Sequence, residues 1–486
     1  MRRLAAVLAI VVTSACASTE SGDPDGGGNG DAARTDGGDG GGGCTGSACA
    51  AVYVSVTGDD GAPGTREAPR RTIRSAIELA AASEPPRAVL VAGGVYDESI
   101  EMRGGVSLLG GLDASWMPGG PASELHGGNP AVRFSDITAA TKLEGFTITS
   151  ADADGPGASA IAVAISNSRA IELVSLIVTP GAGDDGTPGS GGTGGANGNP
   201  GGTGASGCED SSFLCAGCSR PAGGTGGTSS CGRPGGTGGQ PGNGGNGGAT
   251  GASGAGGTGG GAGGGSRADG SPGTSGGAGI DGDHGTAGGN SGMFVGLTYL
   301  PANGGNGGDG SPGNGGGGGG GGGGGTADCD SYGSAGGGGG AGGCRGTAGT
   351  GGTGGGGSFG VVMAESQVVV RGSMIFGGAG GKGGDGGGGG GGGNPGGFGG
   401  GGPYGGSNEQ DDGGNGSRGG AGGKGGKGGD GGGGGGGPSA ALACVGTTTV
   451  TIPSTMISPG VPGQGGASLT PGTAGVASMA FGCSLF

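Results

Sequence analysis

Val89-Leu90-Val91-Ala92-Gly93-Gly94-Val95-Tyr96 is a pair of short apolar strands broken by two glycines, too short for a helix and too apolar for a loop. The residues before it read Tyr53-Val54-Ser55-Val56-Thr57-Gly58, a Gly/Pro turn through Pro63-Gly64 and Ala68-Pro69, and then a segment with Ile73, Ala76, Ile77 and Ala80 at helical spacing. Ile100 and Gly105-Val106-Ser107-Leu108-Leu109-Gly110-Gly111 follow. The chain therefore predicts strand, turn, one amphipathic helix, and a series of short strands.

Downstream, the same texture recurs as units of about 20 residues with small or polar corners, the mark of a solenoid. Ala131–Phe134 leads to Lys142–Ile148; Ile161–Ser166 to Ala170–Val178; Gly360–Ala364 to Val368–Ile375; and Ala440–Cys444 to Thr449–Ile457. Residues 50–180, 358–376 and 438–486 carry these coils. Glycine-rich insertions fill 181–357 and 377–437, and hold most of the 160 glycines. They begin after Ile177 and after Ile375, the same point of successive units, so they are expected to leave one corner of the solenoid as neighbours.

The order of strand, turn, helix and V-x-V-A-x-G-x-Y strand resembles the N-terminal cap of pectin-lyase-like β-helix proteins of the DUF1565 type over about 60 residues. The resemblance implies an all-β fold, a right-handed parallel β-helix, with the helix plugging one end. It carries over no catalytic residue.

Glycine falls on every third position from Gly183 to Gly207, nine in register with only three among the other sixteen. Gly236 to Gly263 holds ten in register and six elsewhere. Collagen shares this period but needs roughly 15–20% proline, and the second run contains Pro241 alone. Two alternatives remain: disorder, or a polyglycine II bundle of antiparallel extended rods, each displaying its non-glycine positions. A rod of about 25 residues would reach about 80 Å. Ordering a residue costs about 1–2 kcal/mol in backbone entropy, against about 0.5–1.5 kcal/mol net per hydrogen bond, so cross-links would matter. The wording also resembles mycobacterial PGRS sectors, whose N-terminal domain has no counterpart here.

Met1-Arg2-Arg3, the apolar Leu4–Val12 and Ser14-Ala15-Cys16 have the layout of a secretory signal over 1–15, with a lipobox-like cysteine. Cys16 is the expected lipidation site and the membrane the expected attachment; residues 16–49, rich in Gly and Asp, read as a flexible tether. The expected location is the cell envelope, at the outer membrane, facing the surface or the periplasm. The remaining ten cysteines, Cys44, Cys49, Cys208, Cys215, Cys218, Cys231, Cys329, Cys344, Cys444 and Cys483, are disulfide candidates. By proximity they group as Cys44 with Cys49, a cluster from Cys208 to Cys231, Cys329 with Cys344, and Cys444 with Cys483. Cys215-x-x-Cys218 lacks the second close pair of a usual zinc site.

Twenty-one basic against 37 acidic residues, a net charge of −16, argue against nucleic acid as a partner. His126 and His284 have no metal-ligand spacing, and Asp309, Asp385 and Asp430 lack the apolar follower of calcium-binding repeats. No cofactor is expected. The expected role is non-enzymatic: a structural or adhesion lipoprotein that contacts glycans or other cell-surface components. The alternative is a carbohydrate-active β-helix, a polysaccharide lyase or hydrolase, using corner carboxylates among Asp136, Glu144, Asp152, Asp154 and Glu172, with Arg133, Lys142 and Arg169 as the basic residues near them.

Overall fold

A computed structural model describes residues 51–209, 218–326, 331–404 and 412–485. The strands form a right-handed parallel β-helix with three sheets. The first sheet stacks Val52–Val54, Val89–Ala92, Leu108–Leu112, Thr141–Glu144, Ile171–Val174, Gln367–Arg371 and Thr449–Thr451. The second stacks Gly94–Tyr96, Ser123–Gly127, Phe146–Ser150, Ile177–Thr179, Met374–Phe376 and Met456–Ser458. The third stacks Ile100–Glu101, Val132–Ser135, Ala160–Ser166, Ser358–Ala364, Ser439–Val445 and Ala477–Phe481.

Alternate side chains of each strand point inward, so like residues stack coil on coil. Leu143, Leu173 and Val370 form one inward column, and Ile148, Val178 and Ile375 another. Corners turn through left-handed backbone at Asp136, Asn167 and Glu365, and again at Gly145, Ser175 and Gly372. Buried hydroxyls bridge the corners where strand pairing lapses: Ile137 N donates to Ser168 Oγ at 3.1 Å, and Ser168 N to Ser366 Oγ at 3.1 Å.

Helix α1, Ile73–Ala81, closes the N-terminal end with Ile73, Ala76, Ile77 and Ala80 buried. Thr72 Oγ1 accepts from Ser75 N, and the Glu98 carboxylate accepts from Ile73 N and Arg74 N, which satisfies amides the helix cannot pair itself. Burial pushes the Glu98 carboxyl up, opposed by those two amides. At Asp60 burial acts in the same upward sense, but hydrogen bonds from Thr72, Ser75 and Arg71 hold the carboxyl below its usual value.

The glycine sectors are ordered as extended rods whose backbones bond to neighbours every third residue. In chain order the rods are rod 1 (182–207), rod 2 (219–228), rod 3 (233–242), rod 4 (247–255), rod 5 (258–265), rod 6 (268–289), rod 7 (302–326), rod 8 (333–357), rod 9 (377–404), rod 10 (413–437), rod 11 (459–467) and rod 12 (470–476). Gly183 and every third residue to Gly204 donate to Ala379 and every third residue to Gly400, at 2.7–2.9 Å. This is the polyglycine II arrangement.

Three expectations are corrected. The rods are not all antiparallel: rods 1 and 9, and rods 8 and 10, run parallel, because both members of each pair leave or re-enter the same solenoid corner. The run Gly236–Gly263 is not one rod but parts of three, turned near Asn243-Gly244 and Gly256-Gly257, where Gly244, Gly256 and Gly257 have positive φ. Residues 459–476, read as part of the last coils, form rods 11 and 12 instead.

Residues Met293–Val295 and Thr298–Leu300 form a hairpin between rods 6 and 7. Phe294 and Tyr299 pack on Phe359 with ring centroids 5.0 and 5.5 Å apart, over Ile161, Ala164, Val362, Ala440 and Ala443. Three strands of the third sheet are therefore covered on both faces, which is why Ala160–Ser166, Ser358–Ala364 and Ser439–Val445 read as unbroken apolar runs rather than alternating ones.

Candidate functional site

The bundle is where the chain departs from a plain β-helix. Rod 8 exchanges backbone hydrogen bonds with six rods, 1, 2, 3, 7, 9 and 10; rod 7 does so with rods 3, 4, 5, 6, 8 and 10. A three-residue turn gives each rod three edges, and an edge covered by another rod is mostly glycine; buried exceptions on rod 8 include the small side chains of Ala335 and Ala341 and the disulfide-bonded Cys344. Rod 7 shows this directly along one edge. Asn303, Asn306, Asp309 and Pro312 lie where no rod covers it; Gly315, Gly318 and Gly321 lie under rod 4, and Gly324 under Asn246 in the turn before it. A Cβ on Gly315, Gly318 or Gly321 would stand closer than 3.0 Å to the backbone of rod 3.

Outward amides face a different problem, because no rod accepts their hydrogen. Polar side chains of the adjacent rod do so instead. Thr187 N, Ser190 N and Thr193 N each donate to a threonine hydroxyl, those of Thr353, Thr350 and Thr347, at 2.7 Å. Asn303, Asn306 and Asp309 accept from Gly354, Gly351 and Ala348 at 2.8–2.9 Å. Asp281 accepts from Lys427 N, and His284 Nδ1 from Asp430 N. Much of the polar surface thus completes the backbone network.

The result, where rods 2 and 3 stop short, is a flat terrace across rods 1, 8 and 7. It carries three rows: Thr187, Ser190 and Thr193; Thr353, Thr350 and Thr347; Asn303, Asn306 and Asp309. Within a row the side chains repeat every three residues, about 9 Å in such a rod. Hydroxyls join the rows, with Thr187 Oγ1 3.1 Å from Thr353 Oγ1 and Thr193 Oγ1 3.1 Å from Thr347 Oγ1.

Disulfides stiffen the assembly. Cys231, in the turn between rods 2 and 3, is bonded to Cys344 of rod 8, so Cys344 does not pair with Cys329 as proximity in sequence suggests. The folded rods bring 113 residues of separation down to a Cα distance of 5.7 Å. Cys208 and Cys218 join rod 1 to the approach of rod 2, and Cys444 and Cys483 join the last coil to the C-terminal segment. Cys16, Cys44, Cys49, Cys215 and Cys329 lie outside the described residues. Three disulfides among the described residues fit an extracellular or periplasmic environment. No described helix is long and apolar enough to cross a membrane.

The corner carboxylates separate into three groups. Asp152 Oδ1 accepts from Ala182 N and anchors the start of rod 1, and Asp154 lies in the same connection. Asp136 sits at a left-handed corner, accepting from Asn167 Nδ2 at 3.3 Å. Glu144 and Glu172 lie on adjacent strands of the first sheet, two register positions apart, with Lys142 between them: Lys142 lies opposite Glu172, and Lys142 Nζ is 2.6 Å from Glu144 Oε2. Lys142 and Glu172 line an open groove of about 490 Å³ with Gln367, Val369, Thr449 and Thr451. Arg133 borders a second cavity of about 490 Å³ beside α1, and Arg169 N closes a corner on Ile137 O. His126 stands on the surface between Asp97 and Glu124, at 3.6 and 3.5 Å.

No curated protein and no solved structure matches the chain. Residues 56–174, which span α1 and the first coils and end before rod 1 leaves the solenoid, are similar to the family described as protein of unknown function (DUF1565).

Proposed function

We propose that the protein is a non-enzymatic surface lipoprotein that holds a rigid contact platform away from the membrane, attached through Cys16. The terrace across rods 1, 8 and 7 supports this reading most. Its hydroxyl and amide side chains, with one carboxylate at Asp309, repeat at one fixed interval on a flat, hydrogen-bonded scaffold, which suits a repeating polyhydroxylated partner such as a glycan of a cell surface or matrix. A flat face also bears contact without a pocket, as adhesion requires.

The test is binding of the purified chain to a glycan and cell-surface panel, beside a variant carrying Ser190→Lys and Thr193→Lys. Loss of binding with an unchanged melting transition supports the platform; equal binding overturns it. For the anchor, Cys16→Ser should move the protein from the detergent phase to the aqueous phase. A second reading rests on the groove lined by Lys142 and Glu172, with Glu144 paired to Lys142 at its side: cleavage of an acidic polysaccharide, with the two carboxylates on neighbouring coils as acid and base. Turnover on a polysaccharide panel, abolished by Glu144→Gln or Glu172→Gln, would favour it over the platform.

A further inference from the structure

The two ends of the solenoid are finished differently. At the N-terminal end α1 covers the core, and Ile73, Ala76, Ile77 and Ala80 are 0–2% exposed. At the other end Thr449–Thr451, Met456–Ser458 and Ala477–Phe481 are the last strands of their sheets, each with one edge lacking a strand partner among the described residues. A single bridge, Val450 to Leu485, touches the first of them. Apolar side chains gather there: Met456 is 55% exposed, Met479 59% and Leu485 41%. Ile452, Ile457 and Ala480 of the core are only partly buried.

Charge marks this end more sharply still. Residues 438–486 contain no Asp, Glu, Lys or Arg, in a chain whose net charge is −16. Open strand edges are ordinarily protected by charged side chains, above all lysine, or by proline within the strand. None of the three terminal strands has either; Pro453, Pro459, Pro462 and Pro471 fall between them. Solenoid ends need a polar outer face to remain single in water. This layer is uncharged, its strand edges are open except at Val450, and exposed methionines stand among its hydroxyl side chains, so two copies of it meet without the repulsion that any other pair of acidic faces would carry.

We infer that the last coil is a self-association surface, on which a second copy of this chain docks end to end about a twofold axis. A twofold axis brings the same patch of each copy together and sets facing strand edges antiparallel. The contact is isologous and closes at two copies. The α1 ends and the rod terraces are left outside it.

Sedimentation equilibrium of the purified full chain should give twice the chain mass. Met456→Lys with Met479→Lys places four like charges across the twofold interface and should return the protein to a single copy, with its melting transition retained. Ile280→Lys, on rod 6 and 78% exposed in the parent, serves as the control and should leave the mass doubled. A parent that sediments as one copy overturns the inference. So does a double variant that still dimerises, or an Ile280→Lys variant that dissociates as the double variant does.

Discussion

The amide of Gly433 donates to the carbonyl of Thr470 at 3.0 Å. Three residues earlier on the same edge of rod 10 stands Asp430, and before it Lys427, Lys424, Ala421, Arg418 and Asn415, none of which lies under rod 11 or 12. Side chains give way to glycine at the point where those two rods begin to cover the edge. The composition of a rod thus records its neighbours.

Alanine scanning of single glycines should split along that line. Gly318→Ala sets a methyl against the Thr237 carbonyl of rod 3, and should cost about 1–3 kcal/mol, the usual range for overpacking a filled interior. Gly388→Ala and Gly397→Ala meet nothing within 4 Å. They should be neutral or stabilising by about 0.4–1 kcal/mol, since the unfolded chain loses freedom. Thermal and denaturant melting under oxidising conditions measures both.

Opening the Cys231–Cys344 link should loosen the bundle before the coils. Cys231→Ser with Cys344→Ser is expected to cost about 2–5 kcal/mol. Amide hydrogen exchange should show lost protection at Gly224, Gly227, Gly235 and Gly238, with Val163 and Leu173 of the solenoid still protected. Uniform loss across both regions would mean that bundle and coils unfold together.

Acid should loosen the rim of the bundle. The amide of Ala467 and the Lys382 ammonium hold the Asp385 carboxyl below its ordinary value; Gly389 N and the Lys427 ammonium do the same for Asp430. For a carboxyl depressed in the folded state, the stabilisation is full above the unfolded value, about 3.9, and is lost as pH falls through the folded one. Protection of the Ala467 and Gly389 amides should therefore fall below about pH 4. In Asp385→Asn and Asp430→Asn variants it should be independent of pH there.

Removing the aromatic clasp should release the bundle from the third sheet. Phe294 touches the rings of Phe359, Tyr299 and Phe481 at 5.0, 5.4 and 6.0 Å. Phe294→Ala should cost about 3 kcal/mol, at the lower end for a buried aromatic because the ring is partly exposed. Faster hydrogen exchange at Val362 and Ala443, beneath the clasp, is the expected sign.

Much of the solenoid was legible because its rules are local. The spacing of Ile73, Ala76, Ile77 and Ala80 identified the buried face of α1, and the glycine runs that begin after Ile177 and Ile375 located the corner from which rods 1 and 9 depart, although the two isoleucines are one residue out of register, Ile375 stacking on Val178 and Ile177 on Met374. The bundle was harder. Period three persists through the turns near Gly244 and Gly257, so Gly236–Gly263 reads as continuous although the chain reverses twice; Asn243-Gly244 was the available turn signal. The pairing of Cys231 with Cys344 depends on which rods become neighbours, and spacing carries no trace of that. Glu98, which caps α1 from a different coil, and the terrace, which exists only because rods 2 and 3 are short, are likewise products of assembly.

The three-residue step has a consequence for how such a chain can vary. A β-helix coil tolerates no change of length in its strands without throwing inward residues outward, but a rod gains or loses whole triplets and keeps every edge in place. Matched triplets added to rods 1, 6, 7, 8, 9 and 10 near their far ends would carry the tip outward by about 9 Å each, with the solenoid and the terrace untouched. Reach is therefore a quantity that triplet insertion and deletion can tune independently of the fold, as sliding sections set the length of a telescope.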